Sequence, residues 1–363
     1  MAAALGVLVS CGSVKSGEEV VAASRDSKVV VAYVTSWSEV MPDPQYMTHI
    51  NYAFGHVNES FNGVKIDNEE RLRQIVDLRK QKPELKVLLS IGGWGSGRFS
   101  EMAANDEYRR AFAADCDRVV KEFALDGIDI DWEYPTSSMA NISSSPDDTE
   151  NFTLLMQDIR AAIGNEKELT LATVASARYI DFKAILPSVD FVNIMAYDMA
   201  SAPKHHSALY PSGHSGDITS DGAVTAHLKA GVPPSKLVMG MPFYGRGGDG
   251  YPSFQDYNKV GNTDTQYTEK WDEVAQVPYL ADKNDTLVFG FENPRSLAIK
   301  CQYILDKDLL GGMYWDYSGD NEQGDLRRTV AENLLGKPHK AKVLVLTERG
   351  GQAREVFTDA GLK

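Results

Sequence analysis

The sequence predicts an α/β chain folded as a (β/α)8 barrel, with a short α+β insertion after the seventh strand. Three observations carry that expectation. Eight short segments are almost wholly apolar, the mark of parallel strands covered on both faces by helices. Most intervals between them show helical spacing of apolar residues. A length of 363 residues also suits one barrel of about 250 residues with additions.

In chain order, strands are expected at "VVVAYV" from Val29, "HINYAFGHV" from His49, "KVLLSIGG" from Lys86 and "GIDIDWE" from Gly127. They continue at "LTLATVA" from Leu169, "FVNIMAYD" from Phe191, "KLVMGMPFYG" from Lys236 and "GGMYWDY" from Gly311. Helices are expected over 69–82, 106–124, 147–163 and 293–307. The Tyr-, Asp-, Asn- and Gly-rich stretch between Arg246 and Phe291 is too long for a plain loop, so 247–291 is assigned to a small flap. After Gly336, "AKVLVLTERGGQAREVFTDAGLK" reads as a strand, a glycine-containing turn and the start of a helix. It is either the opening of a further α/β unit or a docked tail. The organisation is therefore a leader at 1–27, a barrel at 28–336 and a tail at 337–363.

The leader "MAAALGVLVSCGSVKSGEE" carries a short apolar run ending in Leu-Val-Ser-Cys, which resembles a bacterial lipobox with Cys11 as the lipidated residue. It lacks a basic n-region, so the competing reading is a leader with a chance cysteine. The lipobox reading implies an exported bacterial protein held at the cell envelope or surface by lipid. Cys116 and Cys301 sit in helix-like segments without a short partner spacing and read as free core thiols. A net charge of −14 argues against nucleic acid or an anionic membrane as the main partner and suits a neutral ligand. No run of 18 or more apolar residues occurs, so no membrane-spanning helix is expected.

The stretch "DGIDIDWEYP" carries the chemistry. Asp129, Asp131 and Glu133 alternate with Ile128, Ile130 and Trp132. In a strand the acids line one face, roughly 7 Å from neighbour to neighbour. Burying such a row is costly unless its charge is relieved or used. Calcium is a poor explanation, because calcium loops need glycine turns and polar intervening residues rather than Ile and Trp. No metal-ligand cluster is visible, and no metal or cofactor is expected. Other strand ends bring Tyr33, Trp37, Phe54, Ser90, Trp94, Met195, Tyr197, Asp198, Tyr244, Arg246 and Trp315 to the same mouth. That is an aromatic cup with acids at its floor, suited to flat sugar faces and their hydroxyl and amide groups. Trp132 and Trp271 remain unassigned, as does any specific role for Trp37. His205 and His206 read as a solvated rim.

"DGIDIDWE" matches the D-x-x-D-x-D-x-E signature at all four acids, and "SIGGW", "MAYD", "FYGR" and the last-strand Trp fall in the matching order. On these motifs the sequence resembles glycoside hydrolase family 18, the chitinase family, over roughly 28–336. The insertion resembles a shortened form of that of deep-cleft bacterial chitinases. The resemblance implies substrate-assisted hydrolysis, the exception to the usual two-carboxylate scheme. Glu133 would be the acid. Asp131 would hold the acetamido N–H of N-acetylglucosamine, Tyr197 its oxygen, and Asp129 would share a proton with Asp131. Tyr33, Phe54, Trp94, Met195, Asp198, Tyr244, Arg246 and Trp315 would contact substrate, with Ser90 supporting the inner acids. Taken alone, Tyr33 and Ser90 read equally as barrel-core residues. The implied substrate is chitin or N-acetylglucosamine oligomers, acted on by a monomer. The alternatives are an endo-β-N-acetylglucosaminidase cleaving N-glycan cores and a non-catalytic chitin lectin.

Overall fold

The computed structural model describes residues 28–248, 250–260 and 266–336, together with the backbone of 342–345 and 354–357. Cys11 and the rest of the leader lie outside the described residues. Eight parallel strands close into a barrel: β1 (Val29–Thr35), β2 (His49–Val57), β4 (Lys86–Gly92), β5 (Gly127–Asp131), β6 (Glu168–Val174), β7 (Phe191–Met195), β8 (Leu237–Pro242) and β14 (Gly311–Trp315). Pairing of β1 with both β14 and β2 completes the circle. The short β3 (Val64–Ile66) hangs antiparallel on β2.

Period-two alternation divides each strand. In β5, Ile128 and Ile130 belong to the large apolar cluster shared with the surrounding helices, whereas Asp129 meets side chains of neighbouring strands inside the barrel. The helices α1 (Asp106–Glu122) and α2 (Asp148–Ile163) supply Phe112, Val119, Phe152 and Leu155 to that cluster. Asn105 caps α1 by accepting from the backbone of Glu107 and Tyr108. The helix α3 (Pro294–Asp306) begins with a reciprocal Asn293–Ser296 capping box and a proline at its first position. Gly127 opens β5 because a side chain there would meet the Glu168 carbonyl oxygen at 1.9 Å. Cys116 and Cys301 are buried free thiols, as the sequence suggested.

The insertion is a sheet of five antiparallel strands: β9 (Tyr244–Gly247), β10 (Gln255–Asp256), β11 (Thr268–Asp272), β12 (Val277–Ala281) and β13 (Leu287–Gly290). Its helical content among the described residues is the 3-10 turn Tyr257–Lys259. Only Phe243 separates barrel strand β8 from β9, so one stretch of chain serves both sheets. Beyond Gly336, β15 (Lys342–Val345) and β16 (Arg354–Phe357) pair antiparallel as a hairpin. A helix start was expected where β16 lies; its Val356 and Phe357 are residues that favour strands. Among the described residues, no helix is long and apolar enough to cross a membrane.

Candidate active site

The acid row is assembled by strand register. Ser90 and Thr170 sit directly beside Asp129 on β4 and β6. Asp129 is fully buried and accepts four hydrogen bonds. Tyr33 Oη and Ser90 Oγ donate to Oδ2, both at 2.8 Å. Thr170 Oγ1 at 2.6 Å and Asn193 Nδ2 at 3.3 Å donate to Oδ1. Burial raises this carboxyl and the four donors oppose it, leaving it somewhat above its ordinary value.

Asp131 is also buried, but its Oδ1 has no hydrogen-bond partner. Burial first, then the charges of Glu133 and Asp129, push it well up. No hydrogen bond joins Asp129 to Asp131. Both carboxyls of the inner pair are raised by burial, Asp131 more strongly because it lacks the four donors that hold Asp129. Glu133 lies two residues past the strand end and is half-buried. Burial pushes it up to about 7, against a hydrogen bond from Tyr134 and with help from the charge of Asp198.

Beside the row stand two tyrosines and an ion pair. Tyr197 Oη has a weak contact with Met313 Sδ at 3.8 Å, and burial with the nearby Asp131 and Glu133 keeps its phenol protonated. Asp198, with a left-handed backbone (φ 53°), receives Arg246 Nε at 2.7 Å and Nη2 at 2.6 Å. Burial raises the Asp198 carboxyl, but Arg246 and His206 outweigh it and hold it well below the usual range. Tyr244 is buried against Tyr197, ring centroids 6.0 Å apart. Met195 is half-buried in the apolar cluster inside the barrel.

Aromatic rings continue outward. Trp315 stacks on Phe54 at 5.5 Å with 20° between planes, and lies 5.6 Å from Tyr33. Trp37, whose role the sequence left open, is 63% exposed and joins this group, 6.3 Å from Phe54 and 6.5 Å from Trp315. Phe254 of the insertion, not anticipated, is 43% exposed and stacks on Tyr244 at 4.6 Å. Trp37, Phe254, Asp256, Trp315 and Asp316 line a cavity of about 460 Å³. Trp94 stands exposed near Tyr134, on the loop after β4. Aromatic rings thus stand both in the Trp37–Phe54–Trp315 group and at Trp94, beside Tyr134, the residue that follows Glu133. The peptide bonds preceding Tyr134 and Asp316, and that preceding Phe54, are cis.

Other expectations change. Trp132 is core, stacked on Phe99 at 5.3 Å, and Trp271 lies under the Arg295 guanidinium at 3.8 Å. His205 and His206 are not a solvated rim. Both are buried, because their loop is folded under the insertion sheet: the Met199 N–H donates to the His206 carbonyl, and Gly290 lies against His205. Thr170 and Asn193 were missed as partners of Asp129, although a Thr and an Asn in apolar strands were visible signals. Among the described residues, no group of three or more His, Cys, Asp or Glu side chains is arranged to hold a metal.

The family model described as glycosyl hydrolases family 18 matches residues 29–320. Chitinase A1 of Niallia circulans is 30% identical, across 83% of this chain, which spans 58% of that protein's length. Chitotriosidase-1 of Mus musculus is 31% identical, across 81% of this chain and 74% of its own length. A solved structure described as a family 18 N-acetylglucosaminidase from Paenibacillus barengoltzii superposes with a TM-score of 0.78 at 32% identity, covering 84% of this chain and 99% of that one.

Proposed function

The chain belongs to family 18 of the glycosyl hydrolases, and from that premise we propose that it is a chitinase-type enzyme cleaving β-1,4 bonds between N-acetylglucosamine units with retention of configuration. The observation that carries this reading is the alternating row of buried Asp129, buried Asp131 and half-buried Glu133 at the mouth of an aromatic cleft. Sugar rings stack on Trp315 and, further out, on Trp37 and Trp94. Asp198, Tyr244 and Arg246 bind polar groups at the rim, while Phe54 and Met195 shape the wall.

Glu133 protonates the glycosidic oxygen. The substrate's own acetamido oxygen attacks C1, forming an oxazolinium ion while the C1–O bond breaks. Tyr197 donates a hydrogen bond to that oxygen and orients it. Asp131 accepts from the acetamido N–H and stabilises the positive charge that develops there. Water then opens the oxazolinium ring, with Glu133 taking its proton. Holding an internal nucleophile in place is worth up to roughly 7–11 kcal/mol in favourable systems. Asp129, fixed by four donors, and Ser90 and Tyr33 behind it, keep the row in register.

Product profiles on N-acetylglucosamine oligomers, set beside a high-mannose glycoprotein, test the reading. Oligomer cleavage releasing the β-anomer first supports it. Cleavage of the glycoprotein alone favours the N-glycan reading, inverted product removes the oxazolinium route, and binding without turnover favours a lectin. A lipid anchor at Cys11, export to the cell envelope and action as a monomer belong to the same proposal. They rest on the leader motif and on the completeness of a cleft within one chain.

The pH profile is a second expected result. An acid raised to about 7 donates its proton only while it still holds it. The value of kcat/KM is therefore expected to fall about tenfold per pH unit above neutrality. A rate still rising between pH 7 and 9 contradicts Glu133 as the acid.

A further inference from the structure

His206 is the least expected neighbour of the site. Its side chain is completely buried, and neither ring nitrogen has a hydrogen-bond partner of good geometry. A buried polar group in that state needs an explanation. Nδ1 faces Asp198 Oδ1 at 3.5 Å, the outer limit of a hydrogen bond, and the ring lies 5.3 Å from that of Tyr244. Asp198 and Tyr244 both border the acid row.

The ring has little freedom to turn away. The Met199 N–H donates to the His206 carbonyl at 3.0 Å, closing the loop behind Asp198. The next residue, Ser207, donates to Glu292 Oε1 at 2.5 Å, and its carbonyl accepts from the buried Lys300, which also pairs with Glu292. His205 is held by Asp272 on the insertion strand β11. His206 is thus wedged between the strand bearing Tyr244 and Arg246 and the loop bearing Asp198. The charged and titratable groups around this stretch are Asp198, Arg246 and Tyr244 towards the cleft and Glu292, Lys300, His205 and Asp272 towards the insertion.

We propose that His206 is a positioning residue, donating Nδ1–H to Asp198 and setting the Asp198–Arg246 pair at the height where it meets the sugar. A ring nitrogen facing a carboxylate carries its hydrogen there, so the neutral Nδ1–H tautomer suffices. Hydrogen bonds of this kind are often long in the empty site and shorten when substrate is bound. Arg246 supplies two donors to Asp198 from the rim, and His206 supplies another from beneath. Without it, the half-exposed carboxylate swings with the arginine. Support of this sort from behind a contacting residue commonly decides how well the site is held.

This rests on the reading of the site as an acetamido-sugar hydrolase, and the test separates the two. The substrate is a nitrophenyl glycoside of N,N′-diacetylchitobiose, and the variants are His206→Ala, His206→Phe and His206→Asn. Asn presents an N–H close to where Nδ1 stands, whereas Phe keeps the ring and loses the donor. The Ala and Phe variants are expected to lose roughly 10- to 100-fold in kcat/KM. Asn is expected to recover most of that loss. In an Asp198→Asn background, His206→Phe should add little further loss, since its effect runs through Asp198. Full activity of His206→Phe overturns the proposal, as does Asn as impaired as Phe at equal melting temperature, or full additivity with Asp198→Asn. No turnover by the unaltered protein sinks the hydrolase reading itself.

Discussion

Replacing Glu133 by Gln is expected to lower kcat on N-acetylglucosamine oligomers by roughly 10²- to 10⁴-fold. The amide keeps the shape and one acceptor of the carboxyl but has no proton to give to the glycosidic oxygen. Binding is made elsewhere, by Trp315, Trp37, Trp94 and the Asp198–Arg246 pair, so oligosaccharide affinity is expected to stay within about threefold. Equilibrium titration of the inactive variant with a chito-oligosaccharide measures the second quantity directly. Retained turnover by Glu133→Gln removes this residue as the acid. Loss of affinity together with turnover shows that it also holds the ground state.

The second large effect is expected at Asp131. Asp131→Asn retains a side chain of the same size but cannot carry the negative charge that meets the developing oxazolinium, and a loss of roughly 10²- to 10³-fold in kcat is expected. The same change is expected to raise the melting temperature. Asp131 is buried with one oxygen unpartnered, and burial followed by the neighbouring Glu133 and Asp129 raises its pKa well above the usual value. For such a group the folded state holds its proton more tightly than the unfolded chain. Its contribution to stability is fully present below about pH 4 and is lost as pH rises through the raised value. The stabilisation by Asn is therefore expected to be small at pH 4 and larger at pH 8, as thermal unfolding at both pH values measures. Activity traded for stability at one position is common where a site carries groups the fold would otherwise exclude. An Asn variant with full activity, or one less stable at high pH, contradicts this account of the residue.

The acid row was legible because period-two alternation is a local property: four signature acids, two isoleucines and a tryptophan within a few residues fix which side chains share a face. The eight strands were legible for a similar reason, since being covered on both faces leaves each a short apolar run. Thr170 and Asn193 were half legible. Each is a polar residue in an apolar strand, but only register shows that both end on Asp129. His206 and Phe254 were not legible at all. Their roles depend on a loop folded beneath a sheet formed by strands distant in sequence, and no local pattern records that. The insertion's strands are short and lack strong alternation, so composition alone indicated a flap without revealing its antiparallel order.

The splice at Phe243 has a mechanical consequence. Because the seventh barrel strand passes straight into the insertion sheet, and Phe243 is pinned by its N–H to the Trp315 carbonyl at 2.7 Å and by stacking on Tyr314 at 4.2 Å, that wall is rooted in the scaffold rather than hinged to it. A ligand bound against this wall is therefore expected to be accommodated without a large displacement of the insertion sheet.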